Sequence, residues 1–162
     1  MRSTNSNRFL RPPSNAASWT VTGQETVIDR IVTFIEQATD EIVFMTVEEL
    51  LDEECLGALH TASDRDVTIR LAGLSSAVQA DIQRKIPTAS MFESIWEWSD
   101  LPAGRLIMVD QEMTLASVLV GNGEHPTDVG DETAIWGTGE PNSLVVVLKA
   151  LFTWQLEGNR DV

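Results

Sequence analysis

The residues best suited to chemistry are Arg105 and Asp110 in Ala103-Gly104-Arg105-Leu106-Ile107-Met108-Val109-Asp110, followed by Ala116-Ser117. A guanidinium presents a rigid fork of N–H donors that fits carboxylates, phosphates and paired hydroxyls. A carboxylate at the other end of the segment would accept from such a ligand. Each residue also has a plainer role. Asp110 suits a hairpin turn, and Arg105 suits a strand-edge cation paired with an acidic neighbour. Aromatic faces are the second resource, because the chain has five Trp and no Tyr. Trp98 lies in Glu97-Trp98-Ser99-Asp100, a mixture of aromatic and polar groups typical of binding sites. Trp136 follows in Ala134-Ile135-Trp136-Gly137. Trp19 and Trp154 read as packing residues. The candidate ligand-binding set is therefore Trp98, Arg105, Asp110 and Trp136.

Other reactive groups do not assemble. Glu48-Glu49 and Asp52-Glu53-Glu54 open a helix, where carboxylates favour the helix dipole. His60 and His125 are isolated, and Cys55 is the only cysteine, so neither a disulfide within the chain nor a thiolate cluster can form. Gly137-Thr138-Gly139-Glu140-Pro141-Asn142 lacks the Lys of a phosphate-binding loop. No catalytic residue, metal or cofactor is assigned.

The elements that position these residues read as alternating helices and strands. Thr22-Gly23-Gln24-Glu25 has the form of a capping box ahead of Val27, Ile28, Ile31, Phe34, Ile35 and Ala38, which predicts a helix over 24–38. Glu41 to Val47 is an apolar run of strand length. Thr46-Val47-Glu48-Glu49 is a second capping box, leading into a stripe of Leu51, Cys55, Leu59 and Ala62. Val67, Ile69 and Leu71 alternate as a strand, and Ser75 or Ser76 caps a helix stopped by Pro87. In the second half, 105–109 and 114–120 form a hairpin around Asp110-Gln111-Glu112. Residues 121–132, with three glycines and four carboxylates, read as a mobile loop. Residues 133–136 form a short strand. A last helix opens at Pro141-Asn142, is apolar over most of its girth from Leu144 to Phe152, and ends at Gly158. Such a helix suits burial or a dimer interface. The whole predicts an α/β domain over 19–158: a mixed, mostly parallel sheet with helices on both faces. A flexible segment or linker stub (1–18) precedes it and a tail (159–162) follows.

The charge balance narrows the function. The net charge is −14, and of the 11 basic residues only Lys85 and Lys149 are lysines. Acidic, Lys-poor surfaces suit molar salt, where a Debye length of about 3 Å suppresses self-repulsion. No basic cluster exists to hold phosphates, so direct nucleic-acid binding is not expected. The N-terminus lacks the apolar run of a signal peptide, and no apolar stretch is long enough for a membrane helix. A cytoplasmic location is the expectation.

Segment 103–117 resembles the signature of the phospholipase D superfamily, a strand with His-x-Lys-x-x-x-x-Asp and a hairpin partner with Gly-Ser. Ala103 stands where the nucleophilic His would be and Arg105 where the phosphate-binding Lys would be. Asp110 is retained, and Ala116-Ser117 stands near the Gly-Ser. The resemblance implies a phospholipase-D-like fold with degenerate chemistry, since Ala103 can form no covalent intermediate.

A wider resemblance rests on several segments taken in order. They are the run ending Phe44-Met45-Thr46-Val47-Glu48-Glu49-Leu50-Leu51, the strand after Asp64-Arg65-Asp66, Phe92 to Ser99, Gly104 to Asp110, and Ala134 to Glu140 before the last helix. Over about residues 19–157 the chain looks like the C-terminal domain of the archaeal TrmB-family transcription regulators, haloarchaeal members above all. That resemblance implies a non-catalytic sensor domain, with effector binding (sugars in some members) and homodimerisation. The family's winged helix-turn-helix and coiled coil are not in this sequence, which fits either a fragment or a stand-alone sensor. The expected ligand is a small polar molecule such as a sugar or sugar phosphate, held where Trp98, Arg105 and Asp110 converge. A pure dimerisation module and a residual phosphodiesterase are the alternatives.

Overall fold

A computed structural model describes residues 18–46, 48–92, 103–120 and 131–160. The chain order is β1 (Ser18–Thr22), α1 (Gln24–Gln37), β2 (Glu41–Thr46), a 3-10 turn (Glu48–Leu50), α2 (Glu53–Asp64), β3 (Thr68–Ala72), α3 (Ser76–Lys85), β4 (Ser90–Met91), β5 (Ala103–Val109), β6 (Met113–Val120), β7 (Asp131–Thr138) and α4 (Ser143–Arg160). Residues 1–17, 93–102 and 121–130 lie outside the described residues, and with them Trp98 and most of the expected lead-in (1–18) and loop (121–132); Ser18 belongs instead to β1, and Asp131 and Glu132 to β7.

All the strands join one sheet in the order β1-β7-β6-β5-β2-β3-β4. The expected α/β architecture and mixed sheet are present, but the sheet is not mostly parallel. Only β2–β3 and β3–β4 run parallel, whereas β1–β7, β7–β6, β6–β5 and β5–β2 are antiparallel. The reason is connection length. A parallel neighbour needs a long crossover, supplied here by α2. The β5–β6 connection is a tight turn, with Asp110 (φ 54°) and Gln111 (φ 58°) both left-handed, closed by Glu112 N–H donating to the Val109 carbonyl. Those are the φ signs of a hairpin turn whose twist matches its strands.

Cap chemistry corrects both expected capping boxes. α1 starts behind Gly23 (φ +104°), with no side-chain cap, because Thr22 is spent as the last residue of β1. α2 starts behind Asp52, whose carboxylate accepts from Cys55 N–H at 3.1 Å, so Glu48–Leu50 is left as a separate 3-10 turn. Ser75 caps α3 as expected. Asn142 caps α4, accepting from the Leu144 and Val145 N–H groups, and α4 continues past Gly158 to Arg160.

Two cores follow from strand alternation. On one face Ile42, Phe44, Ile107, Val109 and Leu115 pack under α1, α2 and α3 through Ile31, Phe34, Leu59 and Ile82. On the other, Val43, Met45, Leu106 and Met108 pack under α4 through Leu148 and Phe152. Burying each such side chain contributes about 1.5–3 kcal/mol. Helices thus cover both faces as expected, three on one side and one on the other. Among the described residues no helix is long and apolar enough to cross a membrane.

Candidate functional site

At the end of the sheet where β2 finishes and β5 begins, the three-helix face changes from apolar to polar. Thr46 lies opposite Arg105 in the β2–β5 register, and both are buried. Arg105 alternates with Ile107 and Val109 and so points at the same face. Ser117 on β6 and Glu132 on β7 complete the group, both buried.

The contacts form a chain. Arg105 backbone N–H donates to Ser117 Oγ at 2.8 Å, and Ser117 Oγ donates to Glu132 Oε2 at 2.6 Å. Arg105 Nε sits 3.2 Å from the same oxygen, with both side chains 0% exposed. This pair leaves much hydrogen-bonding capacity unspent. Arg105 Nε, Nη1 and Nη2 and Glu132 Oε1 have no hydrogen-bond partner among the described residues. Burial pushes the Glu132 pKa up; Arg105 and the Ser117 hydroxyl pull it down without cancelling that rise, and Asp52 adds to it.

Gly104 makes this closeness possible. A Cβ there would stand 2.6 Å from Ser117 Oγ and 3.4 Å from Glu132 Oε2. From above, Leu50 reaches within 3.5 Å of the same point, so the 3-10 turn roofs the cluster. Asp52 and Cys55 at the start of α2 feel its charges. Burial, the Asp52 hydrogen bond and the Asp52 charge push the Cys55 thiol up despite Arg105, so it stays protonated. A guanidinium fork beside a carboxylate oxygen can engage a ligand that both donates and accepts, such as paired hydroxyls or a hydroxy acid. Nothing in this group is an activated nucleophile. Among the described residues no group of three or more His, Cys, Asp and Glu could hold a metal ion.

Arg105 and Asp110, expected to converge, lie at opposite ends of β5. Asp110 lies beyond the opposite end of β5, roughly 16 Å from Arg105 along the strand. Its carboxylate accepts from the backbone N–H groups of Thr39 (3.0 Å), Asp40 (2.8 Å) and Glu41 (3.0 Å) and from Thr39 Oγ1 (3.1 Å). Burial would raise its pKa, but these bonds outweigh burial and hold it below the usual Asp value. Asp110 therefore ties the hairpin turn to the start of β2. Trp136 faces the same side as Glu132 but lies roughly 13 Å along β7. It stacks on Trp19 (centroids 4.3 Å), meets Phe34 edge-on (5.6 Å) and carries the Arg30 guanidinium over its ring (4.3 Å). It fastens β1 to α1. Of the three expected residues that are described, Arg105 alone belongs to the cluster.

Glu132 was hidden by the boundary placed at Thr133. In Asp131 to Trp136 the residues Glu132, Ala134 and Trp136 alternate inward, so extending the strand by two residues would have put a carboxylate on the core face.

A family model described as the N-terminal subdomain of the effector-binding domain of transcriptional regulator TrmB matches residues 17–115. No curated protein matches the chain in sequence. Among solved structures, the archaeal chromatin protein TrmBL2, described as showing a novel mode of DNA binding, superposes with a TM-score of 0.60 at 16% identity, covering 97% of this chain. The present chain spans 58% of the length of that protein. The phospholipase D family member Nuc from Salmonella typhimurium superposes with a TM-score of 0.60 at 15% identity, over 87% of this chain and 94% of that one. NucT from Helicobacter pylori gives 0.62 at 8% identity, over 87% and 97%. The fold is phospholipase-D-like.

Proposed function

The chain belongs to the TrmB family of transcriptional regulators, and on that premise we propose that it is a non-catalytic sensing domain whose effector engages the Arg105–Glu132–Ser117 cluster. The observation that carries this reading is the buried guanidinium with Nη1 and Nη2 unpartnered beside a carboxylate with Oε1 unpartnered. Unmet buried donors cost about 1–3 kcal/mol each, more when charged. A ligand able to donate and accept recovers that cost, so the folded state gains most from a polyhydroxylated molecule such as a sugar or sugar phosphate. Asp52 adds negative charge nearby, which favours neutral hydroxyls over a dianion as the contacting group.

The same cluster argues against hydrolysis. Phosphoryl transfer through a covalent intermediate needs a nucleophile, and the strand position two before Arg105 is Ala103. The Arg105 charge is neutralised internally by Glu132, where a catalytic cation would face substrate. Effector binding would bias the domain between conformations or pairings that an attached or associated DNA-binding part reads. Pairing between copies of the domain is assigned to the exposed apolar side of α4, where Val146, Val147 and Trp154 stand in solvent. As a regulator of transcription it works in the cytoplasm.

The test is a thermal-shift screen in concentrated KCl against sugars, sugar phosphates, nucleotides and amino acids, with a generic phosphodiester assay alongside. A selective stabilisation without turnover supports the sensor. A flat screen on folded protein moves the reading to a dimerisation module, and turnover overturns the non-catalytic assignment.

A further inference from the structure

On the three-helix face, with no residue in common with the Arg105 cluster, α2 and α3 enclose an open groove of about 280 Å³ lined by Leu56, Gly57, His60, Ile82, Lys85 and Ile86. Gly57 is the feature that ordinary packing does not explain. It sits in the interior of α2, where glycine is less favourable than alanine by about a kcal/mol. Its φ is not left-handed, and a Cβ at this position would meet nothing within 4 Å. Neither backbone conformation nor a close internal neighbour calls for the glycine. Its missing side chain instead leaves a hollow in the groove, with Leu56 beside it and the buried Ile82 and Ile86 of α3 in the opposite wall.

Lys85 is the one Lys or Arg among the residues that line the groove; its ammonium and the Arg84 guanidinium share Asp81, at 3.3 Å and 2.7 Å. His60 stands at the rim too, 3.7 Å from Asp64. Lys85 is one of only two lysines in a chain of net charge −14. The α3 dipole favours cations in its last turn, which accounts for Arg84 and Lys85 as residues but not for a hollow opening beside them.

We infer that this groove is a second small-molecule site, for an apolar carboxylic acid with an aromatic or branched aliphatic body. The body lies over Gly57 between Leu56 and the two isoleucines, and the carboxylate meets Lys85 at the rim. The volume is just under the usual range for drug-sized ligands, so a compact acid fits and a bulky one does not. The site stands independently of the Arg105 cluster and of the sensing role proposed for it.

The test uses the full chain, labelled with nitrogen-15, titrated with phenylacetate and separately with neutral phenylacetamide at the lowest salt that keeps it folded. Phenylacetate should shift the amides of Leu56 to Thr61 and Ile82 to Ile86 in a saturable way. Gly57→Leu fills the hollow and should abolish those shifts without lowering Tm, and Gly57→Ala should raise Tm by about 2 °C. Lys85→Gln should weaken phenylacetate by about two- to fivefold, the size of an exposed charge pair, and leave phenylacetamide unchanged. Unmoved groove amides at millimolar phenylacetate, or shifts that survive Gly57→Leu, overturn the site. Equal affinity for acid and amide overturns the carboxylate assignment.

Discussion

Removing Glu132 should expose how the Arg105 cluster is balanced. Both side chains are 0% exposed, and Glu132 is the only ion-pair partner of Arg105 among the described residues. Breaking a buried pair by deleting one member leaves an uncompensated charge and costs about 3–5 kcal/mol. For a chain of this length, at about 2–4 °C per kcal/mol, Glu132→Leu should lower Tm by about 6–20 °C. Replacing both partners by apolar residues of similar volume, Arg105→Met with Glu132→Leu, removes the charge and the unmet Nη1 and Nη2 donors together. That double variant should unfold within about 1 kcal/mol of the parent or be more stable. Urea unfolding of the parent, both single variants and the double variant gives the coupling free energy. It should reach about 3 kcal/mol or more. A Glu132→Leu variant within 1 kcal/mol of the parent, or a double variant as weak as the singles, would refute a sealed, mutually dependent pair.

Acid should act on two carboxylates in opposite senses. Asp110 has a depressed pKa, so its contribution is complete above the ordinary value of 3.8 and is lost as pH falls through its lower folded value. Glu132 has a raised pKa, so its ionisation subtracts stability as pH rises from 4.5 through its folded value. Asp110→Asn should therefore cost about 2 kcal/mol at pH 7 and flatten the acid limb of a stability–pH curve, while the Met/Leu double variant should remove the Glu132 contribution. Gly104→Ala must displace Ser117 Oγ from 2.6 Å; overpacking of this kind should cost about 1–3 kcal/mol, read by urea midpoint. Val147→Glu, on the exposed side of α4, should leave the unfolding free energy of the monomer within about 0.5 kcal/mol and abolish any dimer seen by light scattering.

Much of the fold was legible because the first half is written in strong periodicities. Val27, Ile31, Phe34 and Ile35 mark α1, and the run Ile42 to Met45 marks a strand buried on both faces. The caps were less legible. Thr-x-x-Glu is also what a strand end followed by a helix looks like, and only pairing partners tell the two apart. β1 carries little strand signal of its own, because Ser18–Thr22 gains its order from β7, through Trp19 on Trp136. Helix–strand alternation implies parallel pairing only for β2 to β4 and carries no information on the direction of the other strands. The candidate site was half legible. Arg105 stood out as a charge inside an apolar strand, whereas its partner sat 27 residues later in a segment rich in glycine and acids. Asp110 looked chemical for the same reason that it is structural: a carboxylate can gather three neighbouring N–H groups.

The measurement that bears most directly on the account is the thermal shift of the parent and the Arg105→Met, Glu132→Leu double variant, side by side, against the same sugars and sugar phosphates in concentrated KCl. A ligand at a hundredfold excess over Kd stabilises by about 2.7 kcal/mol, or roughly 5–11 °C here. The parent should show that shift and the folded double variant none. An equal shift in both proteins would place the effector elsewhere and contradict the sensing role of the Arg105–Glu132 cluster.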